Sequence, residues 1–286
     1  MNLIYQKKAG IIYMVTSCLF FSILAGLIKF IGNEIHAFQQ AFFRNIFSII
    51  LIGPLVLYSG RNILKTNKMW LLLLRSFFGS LTMVLLFLSY TLIPLSQAIT
   101  ISFTTPLFIF LGGIIFFKEK ANLFKILALL FGFLFTIIAL DPTINISFGC
   151  YVGLFAAICH AIAGLIVKEL TKTESVLSLM FFMVIFMSLF TFIPALVYWE
   201  IPKFKVTWFY LFLLALVGTL GNYFWTSALS KSDVTEVMPY DFTKLVFASL
   251  IGLFFFNEQL EIRILISGIG IIVCNLILTK NLKRNL

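Results

Sequence analysis

The sequence predicts an all-α integral membrane protein with ten transmembrane helices, arranged as two inverted repeats of five helices each. Three observations lead to this fold class. The composition is too apolar for a soluble domain, the apolar stretches have the length of membrane spans, and residues of the first half recur in the second half at a nearly constant spacing.

The composition places the chain in a bilayer. Hydrophobic residues make up 61% of the sequence and charged residues 11%, against about 45–50% and about 25% in soluble domains. The net charge of +10 is dispersed between apolar runs, which argues against nucleic-acid binding. The four cysteines show no metal-ligand spacing, so we expect them to pack and predict neither a metal nor a cofactor.

Ten apolar stretches come close to the roughly 20 residues with which a helix crosses about 30 Å of hydrocarbon. The first is longer than a signal-peptide core, and we expect it to be retained. Several connections are only a few residues long, so consecutive spans are antiparallel. In chain order, the predicted spans 1 to 10 are 9–31, 38–58, 69–93, 96–117, 123–140, 147–168, 176–198, 208–228, 234–256 and 262–280.

The basic residues predict the orientation, because cytoplasmic loops are enriched in Lys and Arg. Lys203, Lys205 and Arg263 would lie outside, and four more basic residues fall within spans. Both termini are therefore predicted to be cytoplasmic. The residues on the predicted cytoplasmic side are Lys7, Lys8, Arg61, Lys65, Lys68, Lys118, Lys120, Lys125, Lys168, Lys172, Lys231, Lys280, Lys283 and Arg284.

An internal repeat divides the chain into residues 1–145 and 146–286. The stretch 25–28 recurs as 163–166. Because each half holds an odd number of spans, the halves cross the bilayer in opposite directions, which is typical of transporters with a site near the midplane. Four further residues recur 139 positions later, namely Phe103, Thr104, Phe116 and Glu119 as Phe242, Thr243, Phe255 and Glu258.

Polar residues inside spans 4 and 9 outline a candidate solute path, since polar groups in hydrocarbon are costly unless they face a cavity or another helix. Both spans contain a proline, Pro106 and Pro239, and interrupted helices in corresponding places indicate a transporter's binding site. The alternative is that these side chains only bond helices together. The residues concerned are Gln97, Thr100 and Thr104 in span 4, and Glu236, Tyr240 and Thr243 in span 9.

Charged residues within spans are the other candidates. Arg44, near the exterior end of span 2, either reaches the surface or binds a carboxylate or phosphate in two-pronged fashion. Arg75 is expected to reach the cytoplasmic surface and to serve gating or coupling. Asp241 and Lys244 are three residues apart in span 9, where they form either a structural ion pair or one for which a solute or proton competes.

Two further residues have open alternatives. His160 either bonds a neighbouring helix or titrates as a coupling or gating group. Trp225 in span 8 either lines the solute cavity or packs. Glu119 and Glu258 are expected to cap the turns after spans 4 and 9, near the start of the next helix, where negative charge is favourable.

The chain resembles the drug/metabolite transporter superfamily, specifically its EamA-type branch. The resemblance covers essentially the whole chain and is carried by residues 41–45, 74–79, 103–108, 117–119, 238–240 and 256–258. The segments around Arg44 and Arg75 are similar to those of members that include S-adenosylmethionine uptake carriers. The resemblance implies a multi-pass protein of the bacterial inner membrane.

The predicted function is secondary transport of a small organic metabolite by alternating access. Positive charges exceed negative ones within the spans, which favours a carboxylate-bearing solute, such as an amino acid or an amino-acid derivative like S-adenosylmethionine. Energy is expected from a coupling proton or an exchanged solute, because no P-loop is present. Export of amino acids or drug-like metabolites is the main alternative, and the oligomeric state stays open.

Other classes of function are less well supported by the sequence. Signature motifs of intramembrane or metal-dependent hydrolases are absent, so the protein is not expected to be an enzyme. A scaffold would not need charges in corresponding helices of a repeat. A channel remains an alternative, since inverted repeats also build pores.

Overall fold

The computed structural model describes residues 2–31, 34–93, 95–140, 147–202, 205–256 and 262–284. Within these ranges, ten helical segments are long and apolar enough to cross a membrane. The spans consist of Asn2–Ile31, Ala37–Ser59, Met69–Leu92, Leu95–Ser102 with Thr105–Phe117, Leu123–Leu140, Phe148–Leu170, Val176–Val197, Lys205–Lys231, Val234–Val237 with Met238–Phe242 and Thr243–Phe256, and Ile262–Arg284.

The ten predicted spans are confirmed, and most of their ends agree within a few residues. Spans 1 and 8 are longer than predicted because the helix continues through polar residues at one end or both, where the backbone still bonds within the helix. A short 3-10 helix, Arg61–Leu64, connects spans 2 and 3. Glu258 lies outside the described residues.

Spans 4 and 9 are interrupted where the prolines predict it. Span 4 breaks at Phe103 and Thr104, and its second helix begins just before Pro106. In span 9, Met238–Phe242 is a 3-10 helix that contains Pro239. Proline has no N–H with which to bond the carbonyl four residues earlier. Each interrupted span therefore lacks one intrahelical hydrogen bond at its proline.

Long antiparallel contacts hold the bundle together. Span 1 packs along span 8 and span 3 along span 6, while spans 2 and 7 and spans 5 and 10 form two further pairs. Exchanging the halves of the chain converts the first pair into the second and each of the other two into itself. The packing is therefore compatible with a two-fold relation, and the inverted repeat stays a prediction.

The two ends of the bundle differ in packing. We call the end that carries Lys65, Lys120, Lys172 and Lys231 the lysine-rich end. There, spans 6 and 8 meet, and the first part of span 9 packs against spans 4 and 5. In the described part of the chain, the corresponding pairs at the opposite end, spans 1 and 3 and spans 4 and 10, share no extended packing.

Candidate solute site

Arg75 is buried and its guanidinium points into the bundle. Span 3 begins at the lysine-rich end with Met69, yet Nη1 of Arg75 lies 3.4 Å from Sδ of Met187. The same nitrogen lies 3.8 Å from where a Cβ on Gly79, one turn deeper, would stand. The expectation that Arg75 reaches the cytoplasmic surface is therefore wrong. Gly79 leaves room for the guanidinium, which makes the inward direction sterically accessible.

Arg44 also extends toward the middle, starting from the other end of the bundle. Its Cδ lies 3.2 Å from the position of a Cβ on Gly218, near the centre of span 8. Its Nη2 donates a hydrogen bond of 3.3 Å to Oδ1 of Asn45. Arg44 and Arg75 are close enough to interact electrostatically. The two guanidinium groups therefore converge on one central region.

Neither guanidinium has a carboxylate partner among the described residues. Their recorded hydrogen-bond partners are an amide oxygen and a thioether sulfur. A buried charge is costly unless it is paired or solvated. The positive charge of this region can therefore bind an anion. Guanidinium groups suit the planar, two-oxygen geometry of a carboxylate.

Asp241 and Lys244 form the ion pair that their spacing predicts. Nζ of Lys244 lies 2.6 Å from Oδ1 and 2.8 Å from Oδ2 of Asp241. The same ammonium stands 5.3 Å from the ring centroid of Phe21 on span 1. Lys244 keeps 23% of its side-chain surface exposed, against 9% for Asp241. The lysine can therefore exchange its partner, whereas the carboxylate is enclosed.

Cys18 and Ser22 on span 1 fix this ion pair to the neighbouring helix. The Cys18 thiol approaches the carbonyl oxygens of Tyr240 and Asp241 at 3.6 and 3.7 Å. The Ser22 hydroxyl donates to the carbonyl of Lys244 at 3.0 Å. Span 1 thus satisfies carbonyls at and just after the interruption in span 9. All four cysteines are free, and the described residues contain no cluster suited to a metal ion.

His160 and Trp225 lie close to the central charges, on spans 6 and 8. His160 interacts electrostatically with Lys244, Asp241 and Arg75, and no hydrogen bond to its ring is recorded within the described residues. Its ring centroid is 6.3 Å from that of Trp225. The indole is 7% exposed and fits against Gly164, where a Cβ would stand 3.2 Å from it. The two rings therefore lie together at one side of the central region.

Two of the predicted binding residues in span 9 instead face neighbouring helices. Glu236 pairs with Lys125 of span 5 at 3.6 Å, and the Tyr240 hydroxyl lies 2.7 Å from Oγ1 of Thr279 on span 10. The hydroxyls of Thr104 and Thr243 donate to carbonyls in their own turns. Thr100 is buried, and the side chain of Gln97 lies outside the described residues. The structure therefore does not bring this set together around one point.

A second group of charged side chains lies at the lysine-rich end, where Lys125 and Glu236 are buried and Glu119 and Lys168 are partly buried. We call these four residues the end cluster. Oε1 and Oε2 of Glu119 accept hydrogen bonds from the backbone N–H groups of Val234 and Thr235 at 2.9 and 2.8 Å. Glu119 thus lies in the turn after span 4, but the helix start that its carboxylate caps is not that of span 5, near which the sequence places it. It caps span 9, because the chain reverses at Lys118, whose φ is 53°.

The two lysines of the end cluster bond to backbone and hydroxyl oxygens. Nζ of Lys168 donates to the carbonyls of Leu229 and Ser232 at 2.9 and 2.7 Å. Nζ of Lys125 donates to the carbonyl of Lys120 at 3.0 Å and to Oγ1 of Thr235 at 3.2 Å. Sequence reasoning counted both lysines only as orientation signals. Both lysines lie one turn inside the end of a span, where a long side chain can reach the backbone carbonyls of a neighbouring helix end. That position indicates a structural role.

Comparison with known proteins agrees with this architecture. The sequence profile of the EamA-like transporter family matches residues 8–140 and again residues 147–279. An S-adenosylmethionine uptake transporter of Rickettsia prowazekii is 30% identical over 256 residues, which cover 87% of this chain and 85% of that protein. A solved crystal structure shares the fold, with a TM-score of 0.84 and 15% identity over 97% of this chain and 98% of that one.

Other relatives carry different solutes. A pseudopaline exporter of Pseudomonas aeruginosa is 25% identical over 96% of this chain and 98% of its own length. A riboflavin transporter of Vibrio cholerae is 26% identical over 88% of this chain and 86% of its own. The names agree on transport of small metabolites and differ in solute and direction. The chain is thus a multi-pass membrane transporter and not an enzyme, and it belongs to the EamA-like transporter family within the drug/metabolite transporter superfamily.

Proposed function

We propose that this protein is a secondary transporter that moves a carboxylate-bearing metabolite across the bacterial inner membrane by alternating access. The solute is an amino acid or an amino-acid derivative, with S-adenosylmethionine as the specific candidate. The observation that carries this proposal is the pair of inward-pointing guanidinium groups, Arg44 and Arg75, that have no carboxylate partner among the described residues. A solute carboxylate would neutralise part of that charge.

Arg44 and Arg75 bind the carboxylate from spans 2 and 3, and the Asp241–Lys244 pair faces the same region from span 9. Because Lys244 is the more exposed partner, its ammonium can rotate toward the solute while Asp241 remains enclosed. Trp225 and His160 place their rings at one side of the central region, and a heterocyclic base of the solute can stack against them. This set suits a solute with a carboxylate at one end and an aromatic group at the other.

Similarity and packing support the same proposal. The named relatives include S-adenosylmethionine uptake transporters at 30 to 32% identity over 80 to 87% of this chain. The family profile matches twice, and the long helix pairs exchange when the halves are exchanged. Both agree with two inverted halves that move around a central site. The basic residues at the lysine-rich end support cytoplasmic termini.

Proteoliposome transport tests the proposal. Purified protein is reconstituted and uptake of radiolabelled S-adenosylmethionine is measured with and without unlabelled solute inside the vesicles. We expect saturable uptake that internal solute accelerates. In alternating access the binding site must return to the outside before it takes up another solute molecule, and this return is faster when the site carries internal solute. Uptake that internal solute fails to accelerate and that does not saturate would indicate a pore. No uptake of any amino-acid-derived solute in active vesicles would refute the proposed solute class.

A further inference from the structure

Charged side chains at the ends of spans 4, 5 and 6 bond to one short stretch of chain, the turn from span 8 to span 9. Residues 229–236 comprise the last residues of span 8, the two-residue connection and the first residues of span 9 at the lysine-rich end. Glu119 at the end of span 4 binds two N–H groups of this turn, and Lys168 at the end of span 6 binds two of its carbonyls. Lys125 in span 5 reaches Thr235 and Glu236. Spans 4, 5 and 6 are thereby fastened to spans 8 and 9.

Close packing between the same groups of spans lies directly below this turn. A Cβ on Gly164 of span 6 would meet Ile109 of span 4 at 2.9 Å and Trp225 of span 8 at 3.2 Å. A Cβ on Gly113 would meet Oε2 of Glu119 at 3.1 Å and Val234 at 3.3 Å. Both glycines allow approaches that a larger residue would prevent. A path from the central region to the lysine-rich end requires these contacts to separate.

We propose that the end cluster is the latch that closes the lysine-rich end of the transport path, so that this structure is the state that opens toward the opposite end. The opposite end has no extended packing of spans 1 with 3 or of spans 4 with 10 within the described ranges. When the halves are exchanged, the pair of spans 1 and 3 corresponds to spans 6 and 8, and the pair of spans 4 and 10 corresponds to spans 9 and 5. The latch joins spans 6 and 8 and spans 5 and 9.

The chemistry of the latch suits a contact that opens and closes. Most of its bonds join an ionised side chain to backbone groups at helix ends, and such charge-assisted bonds are strong while water is excluded. When the end opens, water can solvate the same side chains and backbone groups, so no charge is stranded in hydrocarbon. An apolar contact alone could not exchange its protein partners for water in this way when the end opens. The latch thus stabilises the closed end without preventing its opening.

Sided labelling of one reporter cysteine tests the latch independently of the solute. The reporter is Gly79→Cys, beside Arg75, where a Cβ meets only ordinary contacts at 3.5 Å or more. It is placed in a background with the four native cysteines replaced, and a membrane-impermeant maleimide is added to right-side-out or inside-out vesicles. Latch variants are Glu119→Gln and Lys168→Met. The matched control is Lys65→Met, since Lys65 is an exposed lysine at the same end and lies outside the end cluster.

In the parent, we expect labelling from the opposite end and little from the lysine-rich end. Each latch variant should raise the labelling rate from the lysine-rich end about tenfold, the size of a lost charge-assisted bond, while Lys65→Met should leave it unchanged. Gel filtration verifies folding, and either variant suffices if the other misfolds. Unchanged sidedness in a folded latch variant, or a parent labelled chiefly from the lysine-rich end, would overturn the proposal. Neither outcome depends on which solute is carried.

Discussion

Two regions of this transporter bury charge, and they treat it in different ways. In the end cluster, Glu119 and Lys168 bond to backbone groups and Lys125 faces Glu236. In the central region, Arg44 and Arg75 interact electrostatically, and neither has a carboxylate partner among the described residues. The first region is largely satisfied within the protein, whereas both guanidinium groups of the second lack a carboxylate partner among the described residues. The unmatched charge is therefore the stronger pointer to a binding site.

This difference assigns the two regions to different steps. The satisfied region holds helices together and governs which end of the path is closed. The unmatched region lowers the cost of bringing an anion into the bilayer, because a solute carboxylate replaces part of the lost solvation. Substitutions in the two regions should therefore have opposite effects on stability, and the predictions below test that contrast from the largest effect to the smallest.

The largest effect is expected for Lys125→Met, which removes the ammonium that lies 3.6 Å from the Glu236 carboxylate. Both side chains are buried, at 7% and 3% exposure, and breaking a buried pair typically costs about 3–5 kcal/mol. We expect a loss of about 3 kcal/mol in the free energy of unfolding, measured by denaturation in detergent. The double variant Lys125→Met with Glu236→Gln should recover most of it. A double variant no more stable than Lys125→Met would show that the pair is not the cause.

The arginines should behave in the opposite way. Arg44→Met removes a partly buried charge and Arg75→Met a buried one, and neither charge has a carboxylate partner among the described residues. We therefore expect equal or greater thermal stability in the absence of solute. Loss of a buried charge partner should weaken binding of the solute carboxylate about 100-fold, measured by the ligand-dependent shift in melting temperature. The corresponding lysine substitutions should restore part of the affinity. Strong destabilisation by either methionine variant would place that arginine in a structural pair.

A smaller effect is expected for the Asp241–Lys244 pair, because Lys244 is partly exposed and its charge is partly solvated. Asp241→Asn, Lys244→Met and the double variant form a double-mutant cycle. We expect a coupling energy of about 1–2 kcal/mol in the free energy of unfolding without solute, and a smaller coupling at saturating solute, because the solute competes for Lys244. An unchanged coupling on solute binding would identify a purely structural ion pair.

The smallest effect is expected at Gly218. A Cβ there would stand 3.2 Å from Cδ of Arg44, so Gly218→Ala should displace that side chain and weaken solute binding about fivefold. Gly53→Ala is the matched control, since it lies on the same span as Arg44 and a Cβ there meets nothing within 4 Å. Equal effects of the two substitutions on solute affinity would contradict the proposed contact.

Much of the fold follows from the sequence because the bilayer sets the length of each apolar stretch. The interruptions at Pro106 and Pro239 are also predictable. Pro54 and Pro194, however, lie inside continuous helices. A proline alone therefore does not predict where a span is interrupted.

The candidate site was less predictable, since helical spacing gives the face of a residue but not the neighbour it meets. Tyr240 shares a face with Glu236 and Thr243 in the sequence pattern, but its hydroxyl bonds Thr279 of span 10. Distance from a helix end predicts that Arg75 reaches the surface. Gly79, a full turn deeper, makes the inward direction accessible. Glu119 likewise binds the turn before span 9 rather than the adjacent helix.

The central claim is that Arg44 and Arg75 bind a solute carboxylate, and a comparison of two solutes tests it most directly. Binding of S-adenosylmethionine and of its decarboxylated analogue is measured by thermal shift on the purified protein and on the Arg44→Met, Arg75→Met double variant. We expect the carboxylated solute to stabilise the wild-type protein, and the analogue to bind about 100-fold more weakly. The double variant should no longer distinguish the two. Equal binding of both solutes to the wild-type protein would contradict the claim.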